Sequence, residues 1–131
     1  MRRILVDTNV LLAALVFPVG IAAQAFSQVI NEERLSLTQV ILDEVRDVVE
    51  RKWPNRITSL DRFLADLDYE LLPVAPLSTV IRDQHDQPIL DSAIASNVDV
   101  ILTGDKDFLA LGIDRPTILG PREYLDTDPG A

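Results

Sequence analysis

Four acids stand at positions where acids are informative. Asp7 closes the apolar run Ile4-Leu5-Val6, and Asp105 follows Val100-Ile101-Leu102-Thr103-Gly104. Glu44 lies within Ile41-Leu42-Asp43-Glu44-Val45, and Asp86 stands just ahead of Pro88-Ile89-Leu90. Carboxylates that converge from distant parts of a chain raise one another's pKa and oppose folding unless a cation neutralises them. The sequence has no cysteine and one histidine, His85, so disulfides, thiolate metal sites and cysteine nucleophiles are excluded. What remains is a hard oxygen donor set, suited to magnesium or manganese rather than zinc. One or two such ions can clamp a phosphodiester and activate water for in-line attack.

The elements needed to bring these acids together are legible in the hydrophobic pattern. Residues 3–7 read as a short buried strand, and Thr8-Asn9 supplies the chemistry of a helix start before an apolar helix over 10–16 that Pro18 ends. The spacing predicts a second helix over 21–30, a strand over 35–37, and a helix over 40–52 with Thr38 as its cap. In the third helix Val40, Ile41, Val45, Val48 and Val49 share a face, with Asp43 and Asp47 on a solvated side. Trp53-Pro54-Asn55 breaks the chain before a helix over 59–69 and an edge strand over 71–74 that carries Pro73. Residues 78–87 are polar and turn-like. A helix over 88–97, a strand over 100–103, a short helix over 108–111, a strand over 117–119 and a helical turn over 121–125 complete the pattern.

Strands alternating with helices give an α/β class, a three-layer α/β/α sandwich around a mostly parallel sheet of four to five strands. In such sheets ligands bind beyond the carboxyl ends of the strands, near a switch point. Asp7 and Asp105 follow strands directly, and Glu44 and Asp86 lie near helix starts that face the same edge. All four acids are therefore expected on one edge of the sheet.

Composition bounds the rest. A chain of 131 residues with 47% apolar and 25% charged residues is expected to be one domain over 1–131, with 126–131 a loose tail. Asp7 interrupts the first apolar run after three residues, so no signal-peptide core forms, and the apolar stretch 10–17 is too short to span a bilayer. A cytoplasmic protein with no membrane partner is the expectation. The net charge of −9 argues against a nucleic-acid partner, because phosphate contacts dominate that affinity. That objection weakens if some of the acids hold cations that reverse the local field. The best basic-aromatic patch is Arg51, Lys52 and Arg56 around Trp53, which can grip RNA by phosphate contact and stacking or serve as an ordinary helix end.

Taken together, Asp7-Thr8-Asn9-Val10 after a buried strand, Glu44 in its helix, Asp86 ahead of Ile89-Leu90 and Ala93, and Thr103-Gly104-Asp105-Lys106-Asp107 resemble a PIN domain. The resemblance runs from Arg3 to about Leu125 and is strongest to the bacterial branch of toxin–antitoxin toxins akin to VapC. It implies a Mg2+- or Mn2+-dependent endoribonuclease whose acidic tetrad is Asp7, Glu44, Asp86 and Asp105. It also implies that Asn9 orients the first motif and that Thr103 supports the fourth through its hydroxyl. An RNA substrate, a cognate antitoxin protein and a homodimer are the partners it implies. The third motif, Asp83-Gln84-His85-Asp86-Gln87-Pro88, is poorer in acids than is usual in that branch. Asp91 therefore competes with Asp86. The two are five residues apart, roughly 140° around an ideal helix, so both do not naturally reach one ion.

Blander readings stand beside these. Asp7 and Asp86 can be helix caps, Glu44 a solvated helix residue, and Asp105 and Asp107 turn acids. His85 is a loop histidine beside Asp86 that can act as general acid or base or be merely solvated, and Lys106 is placed near the site by its adjacency to Asp105. A haloacid-dehalogenase-like phosphatase also begins with a strand ending in Asp, but needs a second acid where Asn9 stands. A catalytically inactive PIN-like module that binds RNA or protein is the non-enzymatic alternative.

Overall fold

Why the centre of the molecule forms where it does follows from two apolar runs. Ile4, Leu5 and Val6 are fully buried, as are Ile101 and Leu102, because strands covered on both faces cannot alternate with polar residues. The computed structural model describes residues 1–73 and 87–127. In it strand β1 (Arg3–Val6) is followed by helices α1 (Thr8–Val16) and α2 (Ile21–Glu32), then β2 (Arg34–Leu37) and α3 (Gln39–Lys52). A 3-10 turn (Pro54–Arg56) leads into α4 (Ile57–Asp66) and β3 (Glu70–Leu71). Helix α5 (Gln87–Ala95), β4 (Val100–Leu102), α6 (Lys106–Leu109), β5 (Thr117–Leu119) and α7 (Pro121–Asp126) complete the order.

The five strands form one sheet in the order β3-β2-β1-β4-β5, and every pairing is parallel. Leu5 stands opposite Ser36 on one side and Ile101 on the other. The chain builds outward from β1 to β3, then returns to place β4 on the other flank of β1. That reversal is a switch point, and the carboxyl ends of β1 and β4 lie side by side at it. Helices flank the sheet, and a continuous core of strand and helix residues ends at Phe108 and Tyr124, both fully buried. No single helix among the described residues is long and apolar enough to cross a membrane.

Local chemistry sets the boundaries. Thr38 Oγ1 accepts from the Ile41 N–H at 3.1 Å and caps α3, whose last turn carries Arg51 and Lys52 beside its negative dipole end. Helix α4 begins at Ile57, two residues earlier than the pattern predicts, because the turn that Pro54 starts already has helical dihedrals at Ile57. It ends at Asp66, three residues earlier than expected, where Leu67 becomes extended. Strand β3 is shorter than expected and stops before Pro73, which has no N–H to give the ladder. Asn97 adopts a left-handed φ of 54° just beyond α5, the conformation that ends helices most readily in Gly or Asn. The expected turn region 78–87 and the tail after 126 lie almost wholly outside the described residues.

The amino ends of the strands are held by charge pairs. Glu33, 6% exposed, accepts from Arg2 Nε at 2.7 Å and from the Tyr124 hydroxyl at 2.5 Å, tying α2 and α7 to the start of the sheet. Burial and the adjacent Glu33 push the Tyr124 phenol far up. Arg3 spans β2 to reach Glu70 at 2.8 Å, which holds the Glu70 carboxyl below its usual range.

Candidate active site

The opposite edge carries the candidate acids. Asp7 is the N-cap of α1: its Oδ1 accepts from the Thr8 N–H at 2.8 Å. Capping uses only one of its oxygens. Asp7 Oδ2 accepts from the Thr103 hydroxyl at 2.8 Å, across the gap between β1 and the end of β4. The Thr103 hydroxyl in turn accepts from the Asp105 N–H at 3.0 Å. Asp105 caps α6, its Oδ1 taking the Asp107 N–H at 2.8 Å. On the other side the Thr8 hydroxyl donates to Glu44 Oε2 at 2.9 Å. Glu44, Thr8, Asp7, Thr103 and Asp105 thus form one continuous hydrogen-bonded chain across α3, α1, β1 and the end of β4.

The electrostatics of this chain are unusual for a fold interior. Asp7 is 2% exposed. Burial pushes its carboxyl up, the Thr103 and Thr8 bonds pull it back, and the charges of Glu44 and Asp105 push it up again. Among the described residues no arginine or lysine forms an ion pair with Asp7, Glu44, Asp91 or Asp105. Glu33 shows what a structural buried acid needs, namely a cation and a phenol in contact. Among the described residues Asp7 has neither, and the charged neighbours that shift it are the acids Glu44 and Asp105.

The other expected residues are distributed unevenly. Asp86 and His85 lie outside the described residues. Asp91 is 7% exposed in the middle of α5, and its Oδ1 accepts from Gln87 Nε2 at 2.8 Å, one helical turn earlier. Asn9 is exposed, and the residue that links the first motif to Glu44 is its neighbour Thr8. Thr8 was read in the sequence as part of a helix start and of the Asp7-Thr8-Asn9-Val10 motif, with no role of its own. A hydroxyl beside a helix cap normally serves nearby backbone, so nothing local points to a partner 36 residues away. Lys106 is exposed and Asp107 half-buried at the start of α6. Among the described residues no three acids or histidines converge closely enough to hold a metal ion by themselves.

A PIN domain family model matches residues 3–107. The chain belongs to the PIN domain family. PIN domains are nucleases, and the match takes in Asp7, Glu44, Asp86, Asp91, Asp105 and Asp107. The fold agrees with the PIN domain's all-parallel sheet. A chain in the structure of VapBC2 from Rickettsia felis, bound to a DNA fragment from its promoter, superposes with a TM-score of 0.67 at 18% identity. That match covers 90% of this chain and 98% of the other. DNA-bound VapBC from Salmonella typhimurium gives a TM-score of 0.69 at 16% identity, covering 92% and 99%. At these identities the likeness is one of fold. No curated protein matches in sequence.

Proposed function

We propose that this PIN domain is a Mg2+- or Mn2+-dependent endoribonuclease, the toxin of a toxin–antitoxin pair, with Asp7, Glu44, Asp86 and Asp105 as its acidic site. The observation that carries the reading is Asp7. It is a buried carboxylate at the switch point with acids rather than cations around it among the described residues. The donor chemistry fits a divalent ion of the magnesium class, since every candidate ligand is a carboxylate and each carboxylate oxygen keeps a lone pair beyond its hydrogen bond. Asp7, Glu44 and Asp105 would hold the ion, with a further acid supplied from the third motif. When bound, such an ion neutralises developing charge and lowers the pKa of a coordinated water.

The chain's own residues do the positioning. Thr103 donates to Asp7, which favours the ionised form of that carboxylate, and Thr8 donates to Glu44 and orients it. Asp105 is fixed by its cap to α6 and by its N–H to Thr103. Three carboxylates are thus oriented before substrate arrives, so little reorganisation is left for the reaction itself. The third acid is Asp86, with Asp91 as its competitor. Support for the toxin assignment comes from two relatives in fold, both VapBC complexes. A cognate antitoxin protein is accordingly the proposed partner, with a second copy of the chain as a further one and the cytoplasm as the location.

The test is RNA cleavage by purified protein in Mn2+. Asp7→Asn is expected to abolish it while keeping the circular dichroism of the parent; undiminished cleavage rejects the assignment. Asp86→Asn and Asp91→Asn, compared side by side, identify the third acid as the one whose loss costs at least about a hundredfold in kcat, of the order that loss of a single transition-state donor costs.

A further inference from the structure

Among the described residues Thr8 alone donates to two of the acids. Its backbone N–H serves Asp7 Oδ1 and its hydroxyl serves Glu44 Oε2, at 2.8 and 2.9 Å. The helix start does not require the second bond, since Asp7 already caps α1. The hydroxyl is buried with the rest of Thr8, which is 6% exposed, and it crosses to a different helix. Glu44 is half-buried on α3, and among the described residues Thr8 is its only side-chain hydrogen-bond partner. A glutamate side chain has several rotatable bonds, and holding it in one geometry beside another acid opposes both rotamer entropy and charge repulsion. One hydroxyl therefore carries the placement of Glu44.

We propose that Thr8 is a positioning residue of this site: its hydroxyl fixes the Glu44 carboxylate next to Asp7 so that the pair meets a divalent cation already arranged. The inference rests on the metal-dependent nuclease reading. Outer ligands of this kind orient the groups that touch a metal, and their loss typically weakens metal affinity or activity by tenfold to a hundredfold. Thr8 and Thr103 then divide the work, one hydroxyl per junction, with Thr8 joining α3 to α1 and Thr103 joining β4 to β1.

Thr8→Val keeps the branched shape and removes the hydroxyl, whereas Thr8→Ser keeps the hydroxyl. Melting of the full chain is followed against a MnCl2 titration, without substrate. The valine variant is expected to need about tenfold more Mn2+ for the same rise in melting temperature, and the serine variant no more than about threefold. At saturating Mn2+, RNA cleavage by Thr8→Val is expected to fall by about tenfold or more in kcat with KM little changed, and Thr8→Ser to recover most of it. Urea midpoints of Thr8→Val, Glu44→Ala and the double variant in EDTA test the bond itself, and are expected to be non-additive. A valine variant that titrates like the parent, a serine variant as impaired as valine, or additive midpoints would overturn the proposal. A parent chain that Mn2+ neither stabilises nor activates overturns the nuclease reading instead, and the urea midpoints then decide whether Thr8 holds Glu44.

Discussion

Asp7 and Glu33 are both buried acids, and their surroundings give opposite expectations for neutralising them. Glu33 lies against Arg2 and the Tyr124 hydroxyl, so Glu33→Gln breaks a buried charge pair and leaves Arg2 without its partner. A loss of roughly 2–4 kcal/mol is expected, toward the lower part of the usual range because Arg2 is partly exposed. Asp7 is strained by its ionisation. Its folded pKa is raised above the ordinary carboxylate value, mainly by burial and further by Glu44 and Asp105. Between the unfolded and folded values the native state binds more protons, so stability falls as pH rises through that window and stays lower above it. In EDTA at pH 7, Asp7→Asn is therefore expected to stabilise the chain, by roughly 0.5–2 kcal/mol as such relief commonly gives. The gain should fade as the pH drops below the usual carboxylate range. Asn can serve the geometry, its carbonyl accepting from Thr8 and its amide donating to the Thr103 hydroxyl. Urea melts at pH 7 and pH 3.5 check the sign. A variant less stable than the parent at both pH values would show that Asp7 is a structural cap and no more.

At the scale of elements, what the pattern made legible was whatever is buried on two sides or capped by a local side chain. Strands β1 and β4 are continuous apolar runs because helices cover both faces, and α3 announces itself through Thr38 and the Ile41, Val45, Val49 stripe. The placement of two of the candidate acids was legible to the same degree. Asp7 and Asp105 follow those two strands, and a carboxylate straight after a buried strand has few places to go. Edge strand β3 was harder to place, because pairing on one side only leaves two exposed residues and no apolar signature. The early start of α4 depended on the turn at Pro54, where proline chemistry fits a break or a first helical turn equally well. Long-range bonds such as Thr8 to Glu44 and Arg2 to Glu33 had no signal, since spacing reports the local period and not the partner across the fold. The cap of α3 matters to the site because α3 carries Glu44. Thr38→Ala is expected to cost about 1 kcal/mol of stability, read as a lowered urea midpoint. Its Mn2+ titration should stay close to the parent's, since the Thr8 bond is untouched. A large loss of Mn2+ response would mean that the helix start, rather than Thr8, sets the position of Glu44.

For the proposed ribonuclease, the whole molecule poses the question of how a chain of net charge −9 would grip a polyanion. Several of its cations are already engaged: Arg2 with Glu33, Arg3 with Glu70, Arg46 with Asp61, Arg51 with Asp47 and Arg115 with Asp99. Among the described residues Lys52, at the end of α3 remote from Thr38, and Arg56, in the 3-10 turn that follows, are exposed and stand in no such pair. They flank Trp53, with the Lys52 ammonium 6.0 Å from the indole centroid. Trp53 and Arg56 also line a cavity of about 380 Å³ together with Leu12, Leu15 and Phe63. Lys52 and Trp53 close α3, the helix that carries Glu44, Arg56 follows in the 3-10 turn, and α1, which Asp7 caps, lines the same cavity through Leu12 and Leu15. If RNA tracks from the acids along α3, two phosphate contacts would fall at Lys52 and Arg56. Each contact contributes roughly −0.7 to the slope of log affinity against log salt for a single strand. Lys52→Gln with Arg56→Gln should therefore weaken single-stranded RNA binding and flatten that slope by about 1.4. The measurement is fluorescence anisotropy in the Asp7→Asn background, where substrate persists, at several salt concentrations with Mn2+ held constant. A slope unchanged by the double substitution would remove this end of α3 from the RNA path and leave the strand held chiefly through cations bound at the acidic edge.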